Sequence, residues 1–356
     1  MTEVEDKLDI LDFDELLQLI NQKLQQAGLP EEQAEEVANH LVDADFRGIH
    51  SHGAVRVEYY VERICKGGVT LHPQLSFERT GESTGIFHGD NGIGQYVVNE
   101  ALPSIVKIAK ETGVAIVGIS KMSHSGTMTY YLDKIAREGL IGITMCQSDP
   151  MVVPFGGAEN YFGTNPIGFA VPRENHSPII FDMATTVQAW GKILDARSKN
   201  QSIPATWAVD SQGKPTTDPH AVQGLLPISG AKGYGLMMMV DILAGSLLGL
   251  PFGKHVTSMY SHIAEPRNLG QIFIVIDPER FAGREFLEQR MNTMVEELHT
   301  IQPSENVEQV LYPGELNLLL LEKHLKEGVG IPSEIVAYLR SDLLHEDRYG
   351  GKGSFA

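Results

Sequence analysis

The sequence predicts a mixed α+β protein with a β-rich middle flanked by helical segments from both ends. Apolar residues near the N-terminus recur at helical spacing. From Val114 to Ile276 they gather into short runs rich in β-formers, separated by Gly, Pro and Asn. Beyond Phe286 the helical spacing returns. At 356 residues, 42% of them hydrophobic and 21% charged, the chain can bury a substantial core divided into two or three lobes. That composition excludes disordered and fibrous classes.

Leu16, Leu17, Leu19, Ile20 and Leu24 mark a first helix, which Gly28 stops. Pro30 opens a second, with Glu31 and Glu32 complementing the positive end of its dipole. Ala34, Val37, Ala38, Leu41 and Val42 form its apolar face. Residues 55–65 read as a third helix carrying Arg56, Tyr59, Tyr60 and Arg63, and residues 97–112 as a fourth. Strands are expected at 114–119, 141–145, 167–171, 179–181 and 272–276. A helix is expected from near Val187, with Thr185 and Thr186 as N-cap candidates. Residues 286–297 and 332–344 read as amphipathic helices, and residues 350–353 as a loose terminus.

A formal charge of −18 without a basic run excludes a nucleic-acid partner. Cys65 and Cys146 lie far apart with no C-x-x-C spacing, which argues against a disulfide scaffold or cysteine-bound zinc and suits a reducing compartment. The first six residues are acidic where a secretory signal would be basic, so the expected location is the cytoplasm. The most apolar stretch, 236–252, is shorter than a bilayer span, contains Asp241 and ends near Pro251. Its Gly245 and Gly249 suit close packing of a buried helix, and no membrane role is expected.

Two nucleotide motifs fail. Residues 92–97 carry Gly92 and Gly94 but lack the third glycine of G-x-G-x-x-G, and no strand clearly feeds them. Residues 230–235 have glycines and Lys232 in an order unlike a phosphate loop. A dinucleotide would have to bind outside the doubly wound geometry.

Several clusters carry chemical potential. His50 and His52 could ligate a metal, but a third ligand is not evident; they could equally cap the following helix. Arg56 and Tyr60, one turn apart, present a guanidinium fork and a hydroxyl suited to a carboxylate. His124, in Ser123-His-Ser-Gly126 just after a strand, is either catalytic or a buried hydrogen-bonded histidine. No G-x-S-x-G surrounds it. Polar turns at 147–150, 155–157 and 163–166 could present amides and hydroxyls to an anionic cofactor, or be plain turns. Lys192, Arg197, Lys199 and Lys232 could supply cations, or be solvated surface residues.

Taken in order, Arg47-Gly-Ile-His-Ser-His-Gly53, Ser123-His-Ser-Gly126, Gly163-Thr-Asn-Pro166, Asp182-Met-Ala-Thr185 and Lys232-Gly-Tyr-Gly235 resemble the type-2 malate/L-lactate dehydrogenase family, from about Leu16 to the tail. Residues 1–9 look like an extension of that pattern, and Ser123 stands where the pattern has glycine. The resemblance implies a non-Rossmann cofactor lobe on a largely antiparallel sheet, beside a helical lobe built from both ends. The corresponding division is 1–125 (helical, substrate-binding), 126–284 (NAD-binding) and 285–356 (helical, packing on the N-terminal part). It also implies a homodimer, NAD as cofactor and a small 2-hydroxy acid as substrate.

The segments 50–60, 145–158, 185–192 and 232–239 point within the family to oxidation of (S)-ureidoglycolate to oxalurate, a step of allantoin and purine breakdown. Malate, lactate, a sulfonated hydroxy acid, or a keto or imino acid reduced in reverse are the alternatives. A metal-dependent hydrolase and a non-catalytic binding protein are the competing classes. By position, the resemblance makes His124 the proton acceptor and His52 a second active-site histidine, and which of the two is the base stays open. Ser51, Arg56, Tyr60 and Asp149 are expected at the substrate. Ser148, Asp182, Met183, Ala184, Lys232, Gly314 and Glu315 are expected at the cofactor, and no metal is expected.

Overall fold

The computed structural model describes residues 7–349. The acidic start at 1–6 and the expected loose terminus at 350–353 lie outside them. Strand β1 (Leu8–Leu11) leads into α1 (Phe13–Gln26), whose first turn is capped by the Asp12 carboxylate accepting from the Glu15 amide at 2.8 Å. Gly28, at φ +98°, takes the left-handed turn that releases the chain into α2 (Glu31–Phe46). The five expected apolar residues of α2 are all fully buried, and so are Gln33, His40 and Asp45. Two 3₁₀ turns, His50–His52 and Ala54–Arg56, precede α3 (Val57–Cys65), which therefore starts two residues later than its spacing suggests.

The chain then enters a seven-stranded sheet through β2 (Ser76–Arg79) and β3 (Thr84–His88), crosses over by α4 (Gly94–Thr112) and returns as β4 (Val114–Met122). Helix α5 (Thr129–Arg137) follows, then β5 (Ile141–Cys146), β6 (Ile167–Val171) and β7 (Ile179–Met183). Helix α6 (Trp190–Ser198) starts later than expected. The Thr185 hydroxyl donates to the carbonyls of Thr164 and Asn165, and that of Thr186 to Gln188, so neither caps it. A small ribbon of β8 (Ala208–Val209) and β9 (Gly224–Leu225) precedes α7 (Ala231–Ala244) and β10 (Leu269–Ile276).

The sheet order is β2-β3-β4-β10-β5-β6-β7. Among the described residues β3–β4 is its one parallel pair, which requires the α4 crossover. All other neighbours run antiparallel, as expected. Helix α7 covers one face of the sheet, where Val240 packs on Met145 and Ile272. The stretch Ala231–Leu248 is apolar enough to pass for a membrane span. Yet α7 has 14 residues, roughly 21 Å at 1.5 Å per residue, and buried Asp241 accepts the Gly253 amide at 3.0 Å. It is a packing helix of the sheet.

The C-terminal part divides its loyalties. Helix α8 (Arg284–Thr300) lies on the β6–β7 edge, with Val295 among Val171, Ile179 and Tyr312. Helix α9 (Glu315–Glu327), absent from the sequence reading, packs on α2. Strand β11 (Val329–Pro332) pairs antiparallel with β1, and α10 (Ser333–Arg340) rests on α1. Leu8 and Asp9, assigned to an extension, thus form a two-stranded ribbon with Pro332 and Ile331. A boundary at 125 does not separate sheet from helices. Strand β10 pairs with β4 on one side and β5 on the other, which makes residues before and after 125 one sheet.

Candidate active site

Asp45, buried near the end of α2, organises the first active-site turn. Its carboxylate accepts His50 Nδ1 at 2.9 Å and the Ala54 amide at 2.6 Å. A Cβ on Gly53 would lie 2.1 Å from that carboxylate, so only glycine allows the turn to close over it. The turn lays the His52 ring on that of His124, with centroids 5.7 Å apart and planes 23° from parallel. His124 comes from the loop between β4 and α5. His40 of α2 holds that loop from below, its Nε2 accepting the Thr127 amide at 2.8 Å. His50 therefore serves Asp45 while His52 serves His124, and the i, i+2 pair does not converge on one point.

Arg56 donates through Nε to the Ser51 carbonyl at 2.7 Å and meets the Tyr260 hydroxyl at 3.5 Å. The Ser51 hydroxyl lies 3.0 Å from His52 Nδ1. Tyr60 reaches His124 Nδ1 at 2.7 Å and receives Gln95 Nε2 at 2.7 Å. Its hydroxyl is thus committed to protein partners, and the expected pairing of Tyr60 with Arg56 on a carboxylate is reduced to Arg56. Asp149 is also displaced from its expected role. Its two oxygens accept from Arg267 and from the Met259 amide, and both side chains of the ion pair are buried.

Burial dominates the electrostatics. It pushes His52 down to about 3, helped by the Arg56 charge. It also drives His124 well below the ordinary value near 6.5, with His52, Arg56, Arg267 and His40 adding to the effect. His40, fully buried, is pushed down to about 3 by the same cause. Burial pushes the Tyr60 phenol up, so it keeps its proton. At neutral pH the site holds two stacked, uncharged imidazoles, one of them tied to a protonated tyrosine.

These shifts make a stability prediction. A histidine whose folded pKa lies below its unfolded value binds protons better when unfolded. Its contribution is therefore complete above about 6.5 and is lost as pH falls towards 3. His40→Gln should make the stability lost between pH 6.5 and 4.5 smaller by about 2 kcal/mol, read from urea unfolding of both proteins. An unchanged loss would mean that His40 is already charged in the fold.

His52, with His124 stacked behind it, opens onto a cavity of about 470 Å³ lined by Ser51, His52, Gly126–Thr129, Phe181–Ala184 and the Pro313–Gly314 turn. Asp182 sits at the end of β7, and its Oδ2 accepts the Met128 and Thr129 amides at the start of α5, at 2.9 and 3.2 Å. Gly314, at φ +85°, begins α9; a Cβ there would lie 1.9 Å from the Ile180 carbonyl oxygen. Of the residues expected at the cofactor, Asp182, Met183, Ala184 and Gly314 line the cavity. Ser148 lies one side chain behind, 2.9 Å from Thr164. Glu315 is spent on His299 and the Tyr312 amide, and Lys232 is exposed on α7 outside the lining. The sequence reading missed Asp45, His40, Gln95, Arg267 and the cavity-lining Asn317. Asp45 alone left a trace, as an acid on the apolar side of a helix beside Arg47-Gly.

Residues 11–340 match the family described as malate/L-lactate dehydrogenase. The chain belongs to that family. The ureidoglycolate dehydrogenase (NAD(+)) of Escherichia coli K12 is 55% identical over 341 residues, covering 96% of this chain and 98% of the relative. A malate dehydrogenase of Pyrococcus abyssi is 38% identical, covering 91% of each chain. Among solved structures, a sulfolactate dehydrogenase from Methanocaldococcus jannaschii superposes with a TM-score of 0.87 at 34% identity, covering 94% of this chain and 96% of that one. Members with different named substrates thus share this fold. Membership also accounts for the failed doubly wound fingerprint, since the family's sheet is the mixed, mostly antiparallel one found here.

Proposed function

We propose that the chain is an NAD-dependent dehydrogenase that oxidises (S)-ureidoglycolate to oxalurate, a step in allantoin breakdown. The observation that carries this reading is the neutral His52–His124 pair, with His52 on the cavity wall and His124 stacked behind it, in a chain 54–55% identical to two ureidoglycolate dehydrogenases. The cavity fits a dinucleotide. Backbone rather than side chain meets it at Gly314, the first turn of α9 adds amides and the positive end of a helix dipole, and Ile49, Met128, Phe181 and Leu318 offer apolar wall to flat rings. Asp182, Met183, Ala184 and Gly314 would hold NAD, and NAD when bound supplies the hydride acceptor.

In this reading His124 takes the hydroxyl proton, a task suited to an uncharged imidazole. His52 hydrogen-bonds the same oxygen or the neighbouring carboxylate. Arg56, with Nη2 free of the Ser51 and Tyr260 contacts, holds the carboxylate. Tyr60 acts through His124, and Asp149 through Arg267. Incubation with NAD and ureidoglycolate should produce NADH absorbance far faster than incubation with malate. Turnover of malate but not of ureidoglycolate would overturn the substrate while leaving the enzyme class.

The same reading makes the chain a homodimer. Met238, Met239 and Ile242 leave the outer face of α7 apolar and exposed, continuing into Leu247 and Phe252, and a second copy would cover them. Sedimentation should give a dimer that Met239→Glu with Ile242→Glu converts to monomer; a wild-type monomer would remove this reading. Two unpaired cysteines suit a reducing compartment, and we place the activity in the cytoplasm.

A further inference from the structure

The segment that fails as a dinucleotide fingerprint, Gly92-Ile-Gly94-Gln-Tyr-Val97, has another use. A Cβ on Gly94 would lie 2.4 Å from the His124 carbonyl oxygen and 2.5 Å from that of Ser123. Glycine therefore lets the first turn of α4 press against the backbone that carries His124. The next residue, Gln95, is fully buried, and its amide meets Tyr60 Oη at 2.7 Å. Tyr60 Oη in turn meets His124 Nδ1 at 2.7 Å. The other end of the Gln95 amide is buried without a hydrogen-bond partner among the described residues.

A hydroxyl has one proton to donate, so this chain of three groups can run in two directions. In the first, Gln95 donates to Tyr60 and Tyr60 donates to Nδ1. Neutral His124 then carries its proton on Nε2 and has no lone pair there to receive another. In the second, Nδ1–H donates to Tyr60 and Tyr60 donates to the Gln95 carbonyl, which leaves Nε2 free. Turning the amide end for end interconverts them with the heavy atoms in place. The Gly126 amide also points at Nδ1, but at 3.4 Å it is beyond the ordinary hydrogen-bond range. The tyrosine contact is the shorter of the two, and its direction follows the orientation of the Gln95 amide.

We propose that Gln95 is a positioning residue whose amide, turned end for end from the Nε2-to-Tyr60 contact described above, presents its carbonyl oxygen to Tyr60 and thereby holds His124 with the proton on Nδ1 and the lone pair on Nε2. The assignment rests on the reading of His124 as the base. Gln95 touches neither substrate nor cofactor; it sets which nitrogen can work.

The test is the tautomer itself, read by ¹⁵N NMR on histidine-labelled protein without substrate, with His124 identified by comparison with His124→Ala. Wild type should show the proton on Nδ1. Gln95→Met, which removes the acceptor at similar volume, should move it to Nε2 and lower kcat by about tenfold or more with KM for NAD little changed. Gln95→Glu, which keeps an oxygen towards Tyr60, should retain the wild-type tautomer and most of kcat. Proton on Nε2 in wild type, or a wild-type tautomer and kcat in Gln95→Met, overturns the proposal. Should Gln95→Met fail to fold, the wild-type spectrum still decides. A failure of the substrate reading shows separately, as absent NADH production with an Nδ1-protonated His124.

Discussion

His124→Ala should lower turnover by about a thousandfold while NAD still binds, the effect expected for removal of a positioned proton acceptor. The ring lies behind the cofactor cavity, stacked on His52 and anchored by Tyr60, and it is not among the residues lining that cavity. In the proposed reading its loss removes the base while sparing Asp182, Met183, Ala184 and Gly314. Two imidazoles compete for the role, and they are held differently. His52 is held through the Ser51 hydroxyl on its own turn, whereas His124 belongs to the longer Gln95–Tyr60 chain. His52→Ala should accordingly be the milder change. Near-normal turnover in His124→Ala, measured as NADH production, would exchange the two roles.

Asp149→Ala should destabilise the fold by about 3–5 kcal/mol, an effect that a substrate contact alone would not have. The carboxylate is paired with a guanidinium that is 1% exposed, and it also accepts the Met259 amide. Truncation leaves Arg267 charged, buried and without its anion, and a backbone donor unsatisfied. Loss of either partner of such a pair costs more than the pair contributes when intact, because the remaining charge has no water to turn to. Arg267 also lies close enough to depress His124, so the folded fraction of the variant should show altered proton transfer as well. Urea unfolding decides. A change under about 1 kcal/mol with a raised substrate KM would return Asp149 to the substrate.

Strands β4, β5, β6, β7 and β10 were legible because each is a run of β-branched or apolar residues bounded by turn formers, a pattern complete within itself. Strands β1 and β11, four residues each, exist only because they find one another from opposite ends of the chain. Helix α9 escaped notice because its leucines, including exposed Leu316, Leu319 and Leu325, do not gather into one buried stripe. At the site, His52 and His124 stood out by residue type and neighbouring glycines. His40, Gln95 and Arg267 did not, since each gains its role from a partner far along the chain: Thr127 is 87 residues from His40, and Asp149 is 118 from Arg267.

By itself the sequence determined the helical ends, five strands of the β-rich middle, the absence of a doubly wound fingerprint and the chemical types at the site: two histidines, an arginine, a tyrosine and a set of polar turns. Those are short-range properties, read from periodicity, turn chemistry and motif order over a few residues. Only the tertiary structure decided that Tyr60 reaches His124, that Asp149 pairs with Arg267, and that β10 joins the two sides of the sheet. Such choices depend on strand register and on which buried polar groups find partners across the core, and no local pattern encodes them.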